Sequence, residues 1–97
     1  MKNAANKNRS GAAQAIGWNP RVACRTVDGV AFILLDSRMV SLNETGTFLW
    51  DLFHRRRSVA TAAAKLTAQF EVDAARARKD VDAFVAQMCD KGLLVRN

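Results

Sequence analysis

Between residues 38 and 53, RMVSLNETGTFLWDLF, the apolar spacing changes from every second residue to every third or fourth. No other feature constrains the chain as much, because a period of two belongs to a strand and a period near 3.6 to a helix. Only Asn43, Glu44 and Thr45 separate the two patterns. A strand must therefore pass almost directly into a helix, with its edge beside the helix start.

Upstream of this junction the pattern is that of strands. Residues 21–27 form a candidate first strand, with Pro20 at its entrance where a missing backbone donor is tolerated. Asp28-Gly29 is a hairpin signal, since glycine supplies the positive φ of a tight turn. Residues 30–35, VAFILL, are an almost continuous apolar run and are expected as a strand buried on both faces. Asp36-Ser37 makes a second turn. Residues 38–42 form the third strand, with Met39 and Ser41 on one face and Val40 and Leu42 on the other.

Downstream the pattern is helical. Either Asn43 caps the first helix, or Ser41 and Glu44 form a capping box. Phe48, Leu49, Leu52 and Phe53 share its apolar face, and Trp50 is expected to pack in the core. Gly46 sits in the first turn, where its use would be to let another backbone approach. His54-Arg55-Arg56-Arg57 reads as a polar connection, and Ser58 as the next cap.

In the second helix Val59, Ala62, Ala63, Leu66 and Phe70 make one stripe. Asp73 caps a third helix with apolar positions at Ala77, Val81, Phe84, Val85 and Met88, and Gly92 suits its C-terminus. Residues 93–95 then fold back as an extended segment. Three strands followed by three helices make an α+β domain.

A chain of 97 residues supports one core, and its 49% hydrophobic and 25% charged content is that of an ordinary globule. No apolar run approaches the ~20 residues of a membrane span. Residues 1–19 are expected to be a flexible basic arm without a secretory signal, ahead of a domain over residues 20–97. Cys24 and Cys89 have no metal-ligand spacing, so reduced thiols and a cytoplasmic location are expected.

The formal net charge is +6, but residues 1–25 hold five bases and no acid, and the remainder ten bases against nine acids. The charge therefore says little about the folded part. With one histidine, His54, and no phosphate loop or cysteine quartet, neither catalysis, a cofactor nor a metal is expected.

The segments Leu42-Asn43-Glu44-Thr45-Gly46, Leu49-Trp50, Asp80-Val81, Phe84-Val85, Met88 and Gly92-Leu93-Leu94 carry a resemblance. Over residues 28–95 the chain resembles the PqqD family, named for pyrroloquinoline quinone biosynthesis. More broadly it is similar to the precursor-peptide recognition elements of ribosomally made, post-translationally modified peptides. It departs from the family at His54–Arg57, where Asp-Gly is usual.

The resemblance implies a winged helix-turn-helix-like domain that does no chemistry. Such a domain binds the leader segment of a precursor peptide as an added strand, between the third strand and third helix. It presents the rest to a modifying enzyme such as a radical SAM enzyme, a leader protease or a cyclase. A peptide site is then expected at Met39, Val40, Ser41 and Leu42 on the strand edge. Across from it, Arg78, Asp82, Val85 and Cys89 are expected on one shoulder of the third helix, or Val85 and Cys89 simply widen the core stripe.

Two other readings compete. A DNA-binding winged helix is disfavoured, because Arg76, Arg78, Lys79 and Lys91 in the third helix are balanced by Asp73, Asp80, Asp82 and Asp90. A self-associating module would use the open edge to form a homodimer.

Overall fold

The structure is a computed structural model and describes residues 14–96. Its elements are β1 (Ile16–Trp18), β2 (Ala23–Val27), β3 (Val30–Leu35), β4 (Arg38–Ser41), α1 (Glu44–Leu52), α2 (Val59–Phe70), α3 (Ala74–Asp90) and β5 (Leu94–Arg96). Strands β2, β3 and β4 form an antiparallel sheet in that order, and β1 pairs antiparallel with β5. The fold is winged helix-turn-helix-like and α+β, a three-stranded sheet followed by three helices, with the small second sheet added.

The second sheet corrects the expected boundary at residue 20. Ile16 is fully buried, and its N–H and carbonyl both bond to Arg57, at 2.7 and 3.0 Å. Trp18 stacks on Trp50 with centroids 4.6 Å apart, and its indole N–H donates to the Trp50 carbonyl at 2.8 Å. Asn19 then donates through Nδ2 to the Gly92 carbonyl at 2.8 Å. The folded body therefore includes residues 14–19. Three residues are too few for a legible period, and the strand exists only because β5 offers it an edge. The rest of the expected arm, residues 1–13, lies outside the described residues.

This arrangement also changes the reading of His54–Arg57. Arg57 bridges to β1 and donates from Nε to the Leu52 carbonyl at 2.6 Å, so it pins the end of α1. His54 meets the Trp18 ring edge-on at 4.7 Å.

The run VAFILL is buried on one face, not two. Ala31, Ile33 and Leu35 are at most 5% exposed, whereas Phe32 and Leu34 are 39% and 42% exposed. Among the described elements the helices cover one side of the sheet, so side chains alternate despite a uniformly apolar composition. Asp28 and Gly29 at the β2–β3 turn have φ of 51° and 79°, the paired positive values of a type I′ hairpin.

Three short side chains start the helices. Asn43 Oδ1 accepts from the Gly46 N–H at 2.8 Å, Ser58 Oγ from Thr61 at 3.1 Å, and Asp73 Oδ1 from Arg76 at 2.8 Å. Asn43 is thus the cap, with Glu44 the first residue of α1. Gly46 is buried against that cap: a Cβ there would lie 3.2 Å from Asn43 Oδ1 and 3.3 Å from Leu42 Cβ. It keeps the corner tight and does not admit a distant backbone. At the far end of α3, Gly92 has φ 78°, and the Leu93 N–H returns to the Met88 carbonyl at 2.9 Å. That is a Schellman ending, and it aims Leu93 and Leu94 into the core.

The strand-to-helix corner is fixed by Thr47, 6% exposed. Its hydroxyl accepts from the Ala31 N–H at 2.9 Å and donates to the Leu42 carbonyl at 3.3 Å. It takes the place of one rung between β3 and β4.

Two outcomes test this architecture. Thr47→Val keeps the shape but strands the Ala31 N–H, and is expected to lower unfolding stability by about 1–3 kcal/mol in urea titration. A chain beginning at residue 20 loses Ile16 and the Trp18 stack, and is expected to lose roughly 3 kcal/mol or more.

Candidate functional site: an open strand edge beside α3

Strand β4 has one hydrogen-bonded neighbour among the described residues, β3. The register pairs Ile33 with Val40 and Leu35 with Arg38, and the Leu42 N–H donates to the Ala31 carbonyl at 3.0 Å. Peptide groups alternate in direction along an antiparallel strand. Arg38, Val40 and Leu42 therefore turn theirs toward β3, and Met39 and Ser41 turn theirs to the open side.

Side chains alternate the other way. Arg38, Val40 and Leu42 lie on the face of Ile33 and Leu35, toward the helices. Met39 and Ser41 lie with Phe32 and Leu34 on the opposite face. That outer face is uncovered among the described residues and exposes Phe32, Leu34, Met39 (66%) and Val27 (46%), with Arg25 and Ser41 beside Phe32.

A groove of about 460 Å³ runs between β4, the start of α1, and α3. Val40, Leu42, Leu49, Phe84 and Met88 give it apolar walls, and Ala83 and Gln87 form part of its rim. A second hollow of about 280 Å³ adjoins it at the start of β4, bordered by Leu35, Arg38, Met39, Val40, Lys91 and Leu93. Val40 and Lys91 belong to both. The Arg38 guanidinium reaches across to donate to the Lys91 carbonyl at 3.2 Å.

The strand half of the expected site is brought together here: Val40 and Leu42 as groove wall, Met39 and Ser41 as the outward backbone. The helix half is not. Arg78 and Asp82 pair with each other at 3.4 Å and border a separate hollow with Ile16, Val59 and Arg96. Val85 is 1% exposed in the core. Cys89 is half-buried against that core and borders none of the three hollows.

The shoulder of α3 that faces β4 carries Asp80, Phe84, Gln87 and Lys91, a row at i+3 and i+4 spacing. The expected Arg78 and Asp82 lie on the opposite shoulder. The legible signal was Phe84, an aromatic at the margin of the stripe formed by Ala77, Val81, Val85 and Met88. Asp80 is held by Arg76 at 3.1 Å, so two arginines of α3 are matched by aspartates one turn on. The helix has no unpaired basic stripe of the kind that enters a DNA groove.

Among the described residues no group of three or more His, Cys, Asp or Glu could hold a metal ion. No helix among them is long and apolar enough to cross a membrane.

A family profile described as "Coenzyme PQQ synthesis protein D (PqqD)" matches residues 28–94. The chain belongs to the PqqD family. This PqqD-family chain is also similar to three solved structures. One is described as TbiB1 in complex with the TbiA(beta) leader peptide, with TM-score 0.76 and 19% identity, covering 80% of this chain and 93% of that one. Another is a lasso peptide synthetase B1 complexed with the leader peptide, with TM-score 0.74 and 22% identity, covering 82% and 96%.

The third is a solution NMR structure of the PqqD truncation of Methylobacterium extorquens PqqCD. Its description is of a functional, stand-alone recognition element for ribosomally synthesized, post-translationally modified peptides. It has TM-score 0.72 and 20% identity, covering 89% and 93%. No curated protein matches the chain by sequence.

The alternation on β4 predicts opposite results from two prolines. Met39→Pro removes only an outward N–H and should leave the melting temperature within a few degrees of wild type. Val40→Pro removes a donor to β3 and is expected to cost about 3 kcal/mol or more. Thermal unfolding followed by circular dichroism distinguishes them.

Proposed function

We propose that this chain captures the leader segment of a ribosomally made precursor peptide by strand addition along β4, and presents the remainder to a modifying enzyme. It contributes recognition and no catalysis. The observation that carries this reading is the pairing of outward Met39 and Ser41 peptide groups with an apolar groove on the same edge. An extended peptide satisfies the former with its own backbone and fills the latter with alternate side chains. Main-chain bonds supply affinity with little demand on sequence, and the groove supplies selectivity. Two of the similar structures are described as complexes with leader peptides, which supports the same assignment.

The peptide-binding residues on this reading are Met39 and Ser41 through their backbone, and Val40, Leu42, Phe84 and Met88 through their side chains. The enzyme that receives the peptide, whether a radical SAM enzyme, a leader protease or a cyclase, would meet the outer sheet face. Phe32, Leu34 and Met39 together expose a patch there that an interface core requires and a solvated surface does not. Homodimerisation through the same edge would instead make peptide binding compete with self-association.

The test uses labelled leader peptides synthesised from whatever short precursor reading frames are found beside the gene. Fluorescence anisotropy should show saturable binding to the full chain, and at least about tenfold weaker binding to Met39→Pro. Equal affinity of the folded variant and the wild type would remove β4 as the docking edge. A concentration-dependent dimer indifferent to every leader would favour self-association.

A further inference from the structure

We infer that the peptide bound along β4 carries a carboxylate two residues from a large apolar side chain, with Arg38 and Lys91 receiving the carboxylate. This rests on the strand-addition reading and specifies what that edge selects.

The two hollows are arranged in the period of a strand. In an added strand, the residue opposite Val40 and the residue opposite Arg38 point to the same face, toward α3, roughly 6.6–6.8 Å apart. The first meets the larger groove, walled by Leu42, Phe84 and Met88. The second meets the smaller hollow, where Arg38 and Lys91 stand at the rim over Leu35 and Leu93. The first position meets Leu42, Phe84 and Met88, with Asp80, Gln87 and Lys91 also bordering the groove, and the second lies beside both Arg38 and Lys91 and suits an anionic side chain.

The charge is available for a ligand. Among the described residues neither Arg38 nor Lys91 takes part in an ion pair, and Arg38 makes one side-chain hydrogen bond, to a carbonyl. Nearby acids do not cancel them. Asp36 is engaged by Arg21, Asp80 by Arg76, and Asp90 borders neither hollow. The C-terminus of α3 contributes about half a negative charge, against two full positive charges, so the local field favours an anion.

The chain's own N-terminal segment does not fit this description. Residues 1–13, MKNAANKNRSGAA, contain Lys2, Lys7 and Arg9, no Asp or Glu, and no large apolar side chain after Met1. The occupant is a separate peptide of acidic-apolar character.

The experiment pans a phage-displayed library of random 16-residue peptides on the immobilised full chain, on Met39→Pro, on Arg38→Glu/Lys91→Glu, and on Arg38→Gln/Lys91→Gln. Circular dichroism checks each variant first. The wild type is expected to enrich Asp or Glu at the second residue from Phe, Trp, Leu, Ile or Met. The charge-reversed protein should enrich Lys or Arg at that place, and the neutral pair should show no preference there. A synthetic consensus peptide should bind the charge-reversed protein roughly three- to thirtyfold more weakly than wild type, with the difference shrinking in added salt.

Peptides enriched by the wild type over Met39→Pro but without the carboxylate would overturn this inference and leave strand addition standing. So would an acidic preference unchanged in the neutral or reversed variant. No enrichment over Met39→Pro would withdraw strand addition, and this inference with it. If charge reversal impairs folding, the neutral pair carries the comparison.

Discussion

Thr47 holds the corner on which the rest of the molecule depends. Its hydroxyl satisfies the Ala31 N–H and the Leu42 carbonyl together, at the point where the ladder between β3 and β4 must stop for α1 to begin. A chain leaving a strand normally strands its last peptide groups, and a buried unpaired donor costs about as much as a small domain can tolerate. One β-branched residue on the first turn of α1 removes that cost. It also fixes where α1 leaves the end of β4, the corner at which the groove begins.

The second constraint is that β4 is held from one side. Its partner β3 engages alternate peptide groups, and the remaining ones point outward because of strand geometry, whatever the side chains are. Open edges invite aggregation unless they are short, twisted or covered. Here the strand is four residues long, begins with Arg38, and ends at a helix cap. It is short enough to discourage self-pairing while offering two outward residues and a hollow beside them. The proposed recognition by a backbone ladder draws on that economy.

Closure of the core falls to elements that are weak alone. β1 and β5 are three residues each, and each is a strand only because the other is present. Trp18 covers Trp50, Arg57 clamps Ile16, and Asn19 ties β1 to the turn after α3. These contacts span most of the chain in sequence. They hold the C-terminal end of α3, and with it Lys91, close to the start of β4.

By itself the sequence determined the order of the elements from β2 to α3, the caps Ser58 and Asp73, the Asp28-Gly29 hairpin and most of the core, because each depends on neighbours within a few residues. It also placed a strand at residues 38–42 directly before a helix, through the abrupt change of period at Asn43. The tertiary structure decided which shoulder of α3 faces that strand. Ala77, Val81, Val85 and Met88 form a stripe with two flanks, one bearing Arg78 and Asp82 and the other Asp80, Phe84, Gln87 and Lys91, and periodicity treats the flanks alike. Only the direction in which β4 packs distinguishes them. The same holds for VAFILL, whose apolar residues carry no mark of which face the helices will cover, and for Ile16–Trp18, whose partner lies almost eighty residues away.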